Sequence, residues 1–117
     1  ALALAATTPV QGVLYTAEDK HLDVFQSSCA DRESKLIAVD ADAVAAVREE
    51  ALDGFGYLEH PANVALALKV CEDLGVDRQT ALQGMWDASP DPGVLTADTI
   101  DFFGRELVFI NAFTSAR

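Results

Sequence analysis

The sequence predicts an α/β fold: a parallel-sheet βαβα unit closed by a pair of helices, with one further strand near the C-terminus. Three observations predict it. The run 12–16 is short, apolar and β-prone, and the run 36–39 is short, apolar and without alternation, as in a strand covered on both faces, for which parallel pairing is the economical reading. After each of them, apolar residues recur at i, i+3 and i+7, which is one face of a helix. Half of the residues are hydrophobic but only 8% are aromatic, so the apolar mass is mostly Ala, Leu and Val, suited to helices on a sheet.

The first strand, Gly12 to Thr16, runs into Thr16-Ala-Glu-Asp19, which reads as a capping box starting a helix. Leu22, Phe25 and Cys29 form the inner stripe of that helix, and the polar stretch Asp31 to Ser34 ends it. The second strand is Leu36 to Val39, after which Asp40 or Asp42 can cap a helix striped by Val44, Val47 and Ala51 and stopped by Asp53-Gly-Phe-Gly56. A third helix, 62–74, follows Pro61, whose missing N–H costs little at a helix start. Its polar residues Lys69, Glu72 and Asp73 share one narrow arc, so the helix is expected to be largely buried. Gly75 stands where a left-handed helix end belongs, and Asp77 caps a fourth helix with Ala81, Leu82 and Met85 inward. Ser89-Pro-Asp-Pro-Gly93 cannot continue a helix and is the best boundary, and Leu107 to Asn111 is the strongest strand signal.

At 117 residues the chain has room for one small domain. Eight Lys+Arg against 19 Asp+Glu give a net charge of −11, which argues against nucleic acid and against a polybasic membrane contact. No apolar run reaches the roughly 18 residues that span a bilayer. The opening Ala-Leu-Ala-Leu-Ala-Ala has no initiator Met and no basic leader, so the chain reads as an excised piece. Cys29 and Cys71 read as reduced thiols on helix faces, and with His21 and His60 not spaced as ligands no metal site is expected.

Self-contained catalysis finds no support in these residues. None of the seven glycines precedes a lysine, so no phosphate-cradling loop is present. His21 has no nucleophile and acid arranged around it, and Glu18/Asp19, Glu49/Glu50 and Glu72/Asp73 lie at capping or outward positions. What remains is Glu59-His60-Pro61-Ala62-Asn63, at the start of the third helix. An Asn on a first helical turn can turn its amide to an adenine edge, near backbone N–H groups that favour anions. Equally, Asn63 or His60 can simply cap and solvate the helix start, and spacing alone leaves both readings open.

The stretch from Asn63 to Gly75, the helix Gly75-Val-Asp-Arg-Gln-Thr-Ala-Leu-Gln-Gly-Met85 and the turn Pro90-Asp-Pro-Gly93 resemble the ATP-dependent ligase subunit of poly-γ-glutamate synthase, the capsule protein B type, a relative of the Mur ligases. Val13 to Thr16 and Phe109-Ile-Asn-Ala-Phe113 resemble the flanking strands, so the likeness covers nearly the whole chain. It implies that residues 1–89 are the C-terminal portion of a Mur ligase-like central nucleotide-binding domain. Residues 90–105 would be an interdomain link, and 106–117 the start of a C-terminal ligase domain. Asn63 would contact adenine, with His60 and Asn111 the other cofactor-binding residues and no catalytic or metal-binding residue within the chain. His60 stands where Mur ligases usually have another Asn, Glu59 where they have His, and Thr114 to Arg117 depart from the family's usual Phe-Ala-Ala-Asn-Asp.

The activity implied is ATP-dependent ligation of glutamate through its γ-carboxyl by way of an acyl phosphate, with ATP and Mg²⁺ as cofactors. The phosphate loop and metal site would lie outside these residues, so the chain alone should not turn over. The resemblance further implies a glutamate or poly-γ-glutamate substrate, integral membrane capsule-synthesis subunits as partners, room for a homo-oligomer, and a place at the cytoplasmic face of a bacterial membrane. Two alternatives stand beside it: another Mur-like ligase acting on folylpolyglutamate or cell-wall precursors, and a non-catalytic acidic α/β interaction module.

Overall fold

In the computed structural model, which describes residues 2–89 and 96–111, the elements follow the expected βαβα order with additions at both ends. A short helix α1 (Leu2–Ala5) precedes strand β1 (Val13–Thr16), helix α2 (Leu22–Asp31) and strand β2 (Lys35–Ala38). β1 and β2 pair in parallel, with Val13 opposite Lys35 and Thr16 opposite Ala38, as the two apolar runs predict. Phe25 and Cys29 of the α2 stripe are buried. The segment before β1 is pinned to α2, because Ser28 Oγ donates to the Ala5 carbonyl at 2.6 Å and an Arg32 N–H donates to the Thr8 carbonyl at 2.6 Å.

The capping box at Thr16 does not form. Thr16 is still the last residue of β1, and its Oγ1 accepts from the Glu18 N–H at 3.0 Å, while Glu18 accepts from the Lys20 N–H. These side chains are used up in a turn, so α2 starts later, at Leu22, after His21, which makes no side-chain cap. The single helix expected around Val44 to Ala51 is two, α3 (Ala41–Ala45) and α4 (Glu49–Asp53). Asp40, not Asp42, caps the first, accepting from the Ala43 N–H at 2.8 Å. Arg48 is extended, and Val47 before it and Ala51 after it both lie in the core.

Helix α5 (Pro61–Asp73) is the hub, packing on α3, α6 and β1. Only Val64, Ala65 and Leu68 are buried on it, so the burial expected around most of the helix gives way to one stripe, with Leu66, Ala67, Val70 and Cys71 half-buried. Tyr15 of β1 donates to Asp73 at 2.9 Å, and Lys69 donates to the other Asp73 oxygen at 2.8 Å. These two bonds, Lys69 first, hold the Asp73 carboxyl below its ordinary range. α5 ends as Gly75 predicts: at φ 82° its N–H reaches the Glu72 carbonyl and the Val76 N–H reaches Cys71, satisfying two end carbonyls.

Asp77 then caps α6 (Arg78–Asp87), accepting from the N–H groups of Gln79 at 3.1 Å and Thr80 at 3.0 Å. The bond from the Thr80 hydroxyl, followed by that from its backbone, lowers the Asp77 pKa. Because the folded value lies below the unfolded one of about 3.9, this stabilisation is present above roughly pH 4 and is lost as pH falls through the folded value. The stability gap between the protein and its Asp77→Ala variant is therefore expected to be full at neutral pH and to close on acidification, read from urea unfolding at several pH values. A gap independent of pH would contradict it.

The boundary expected at 89–93 falls largely on residues outside those described. The strand expected at 107–111 is present as β4 (Arg105–Asn111), but it is the second strand of an antiparallel hairpin whose first, β3 (Thr96–Phe102), occupies positions expected to be a link. Phe103 and Gly104 join them, both at positive φ (54° and 75°), the backbone of a two-residue turn with the hairpin's own twist.

Candidate functional site

Two clefts flank α5. The larger, about 520 Å³, opens beyond the end of β2 and is edged by Asp40, Lys69, Glu72, Asp77 and Arg78. Its charges are mostly engaged already: Asp40 and Asp77 cap helices, and Lys69 pairs with Glu72 and Asp73. None of Asn63, His60 and Asn111 lines it.

The smaller cleft, about 210 Å³, does contain Asn63. α5 forms its floor with Asn63, Val64 and Ala67, the loop before α5 supplies Phe55, Tyr57 and Glu59, and α6 supplies Met85 with Ala88 just beyond it. That volume lies below the roughly 300–1,000 Å³ of pockets that enclose a whole drug-sized ligand, so it suits one flat ring system with the rest of a ligand outside. Phe55 and Tyr57 meet edge to face at 5.4 Å between ring centres, giving a largely apolar aromatic wall. Burial first, and then the Glu59 charge, raise the Tyr57 pKa, so its phenol stays neutral.

The start of α5 sets the polar edge of this cleft. Pro61 fixes the first helical turn, which places Asn63 one turn after Glu59. Asn63 Nδ2 donates to Glu59 Oε1 at 2.7 Å, and the same oxygen accepts the His60 N–H at 2.8 Å. A carboxylate only accepts, so it fixes which end of the Asn63 amide faces it, leaving one N–H and the carbonyl oxygen available. That pair of donor and acceptor is what an adenine edge needs.

Of the three residues named from the sequence, only Asn63 lines the cleft. His60 precedes α5 as an exposed residue with no side-chain cap bond, and Asn111 ends β4 opposite Thr96 in the hairpin. Glu59 belongs to the cluster singled out in the sequence but carried no role there, and Phe55, Tyr57 and Met85 were not singled out as site residues, although an aromatic pair just before a Pro-initiated helix is a usable signal. Among the described residues no group of three or more His, Cys, Asp or Glu side chains could hold a metal ion, and no helix is long and apolar enough to cross a membrane.

No family model matches the chain, and no solved structure matches it. Two curated proteins do. "Capsule biosynthesis protein CapB" of Bacillus anthracis is 37% identical over 113 residues, 97% of this chain and 24% of the relative. "PGA synthase CapB" of Bacillus subtilis (strain 168) is 36% identical over 113 residues, 97% of this chain and 28% of the relative. The chain thus spans about a quarter of the length of these relatives, and over that span it belongs to the CapB family.

Proposed function

We propose that the chain is the base-binding part of an ATP-dependent amide ligase that joins glutamate units through their γ-carboxyl groups, within a Mur ligase-like central domain. One observation carries the reading: an amide oriented by a carboxylate, Asn63 by Glu59, at the edge of an aromatic cleft with room for one flat ring system. The names of the relatives support the wider assignment to poly-γ-glutamate capsule synthesis.

The residues present fit the adenine portion of ATP. The Asn63 carbonyl oxygen accepts from the exocyclic amino group, its free N–H donates to a ring nitrogen, and Phe55, Tyr57 and Met85 pack on the ring. Glu59 holds the amide in that orientation and Tyr57, kept neutral, adds no charge beside the base. The chemistry that ATP supplies when bound is activation of a carboxylate for amide formation. No described cluster fits Mg²⁺, so no residue of this chain is assigned to it. On this reading the protein works with membrane capsule-synthesis subunits at the cytoplasmic face.

The test is calorimetric titration of the natural full-length protein with ATP and with GTP. ATP is expected to bind at least about tenfold more tightly, since guanine sets a carbonyl where the Asn63 oxygen needs a donor, a mismatch of about 1–3 kcal/mol. Absent ATP binding, or equal affinities, would overturn the reading in favour of a docking module.

A further inference from the structure

We propose that Trp86 is a positioning residue that sets the width of the Asn63 cleft by tethering the Phe55–Tyr57 wall to helix α6. The inference rests on the base-binding reading of that cleft and adds to it the device that holds its walls one flat ring system apart.

The cleft has one fixed surface and two that depend on how segments are held. Its floor is α5, the hub of the core. One wall is the loop between α4 and α5, carrying Phe55 and Tyr57, and the other is the end of α6, carrying Met85. These walls are about 30 positions apart in sequence, so local backbone geometry does not fix the gap between them. Trp86 joins them directly. Its Nε1–H donates to the Ala51 carbonyl at 2.9 Å, a carbonyl in the last turn of α4, where donors within the helix run out.

The contact at Gly54 is the second part of the clasp. The Trp86 indole lies so close over Gly54 that a Cβ there would occupy the ring. Gly54 has φ −70° and ψ −16°, a conformation open to any residue, so glycine is required here by space and not by dihedral angle. The indole therefore sits on the backbone at the very point where the wall leaves α4, one residue before Phe55. Trp86 itself does not line the cleft; it acts through Met85 and Ala88 on its own helix and through Phe55 on the loop.

A purely structural Trp86 would move stability and leave base recognition alone, so the readout is recognition. In the natural full-length protein, Trp86→Phe keeps an aromatic ring over Gly54 and loses the N–H. ATP affinity is expected to fall about threefold to tenfold and the preference for ATP over GTP to narrow, with a melting temperature close to that of the parent. Gly54→Ala, which displaces the indole, is expected to lower ATP affinity and narrow the preference likewise. In a Trp86→Leu background, where the indole is gone, Gly54→Ala should cost nothing further, a non-additivity that marks two residues acting as one contact. Parent-like affinity and preference in Trp86→Phe, or additive effects of Gly54→Ala and Trp86→Leu, would overturn the role of Trp86 while ATP binding by the parent stands. A parent that binds no ATP removes the base-binding reading and this inference together.

Discussion

Asn63→Ala, in the natural full-length protein, is expected to weaken ATP binding by about tenfold or more while the fold survives. The two halves of that result have separate causes. Asn63 is exposed, and among the described residues its side chain makes one hydrogen bond, to Glu59. Surface changes away from caps and cores usually move stability by no more than about 0.5 kcal/mol. In the complex the same amide serves the edge of the base, and its removal leaves the base's amino group and ring nitrogen unpaired against an apolar wall. That penalty runs to about 1–3 kcal/mol, and each 1.4 kcal/mol is a factor of ten in affinity. Calorimetric titration with ATP, beside a thermal melt, checks both halves. An unchanged affinity would return Asn63 to the plain role of a helix-start residue bonded to its neighbour.

What the sequence made legible is what local chemistry controls. Pro61, Gly75 and Asp77 each act through their own dihedral angles or first few hydrogen bonds, and the structure uses all three at the ends of α5 and α6 as their residue types predict. The parallel pair β1–β2 was legible for a related reason, since the unbroken apolar run Leu36 to Val39 leaves few alternatives. The break at Arg48 was not legible, because Val44, Val47 and Ala51 keep helical spacing on both sides of one extended residue. Strand β3 was missed because Thr96-Ala-Asp-Thr-Ile-Asp-Phe102 carries two aspartates, and its pairing depends on a turn that puts Phe103 in the left-handed region. Aromatic residues rarely signal that conformation. The site divides the same way. Asn63 was visible from its place on the helix, whereas the Trp86 bond to Ala51 spans 35 positions and leaves no pattern in the chain.

The largest loss of stability is expected from the other side of α5, at Leu68→Ala. Leu68 belongs to the buried cluster of Val47, Ala51, Val64, Ala65 and Ala81, in which it is the largest side chain. Three of these five companions are alanines, which have no side-chain freedom with which to fill a gap, so the site cannot collapse well. Deleting a buried Leu side chain costs about 2–5 kcal/mol, rising with the cavity that remains. Leu68 also borders the larger cleft, where water can enter part of the space, so a value in the lower half of that range, about 2–3 kcal/mol, is expected in urea unfolding. Set against a total of about 5–15 kcal/mol for a natural domain, this is a substantial fraction. Yet Leu68 and Asn63 are five residues apart, which sets them on well-separated faces of α5. The folded Leu68→Ala protein, at a temperature well below its melt, should therefore bind ATP as the parent does. A loss below about 1 kcal/mol would show that α5 is not the centre of the core. A loss of ATP affinity in the folded variant would show that the two faces of this helix are not independent, and that the cleft is set by packing beneath α5 as well as by the clasp beside it.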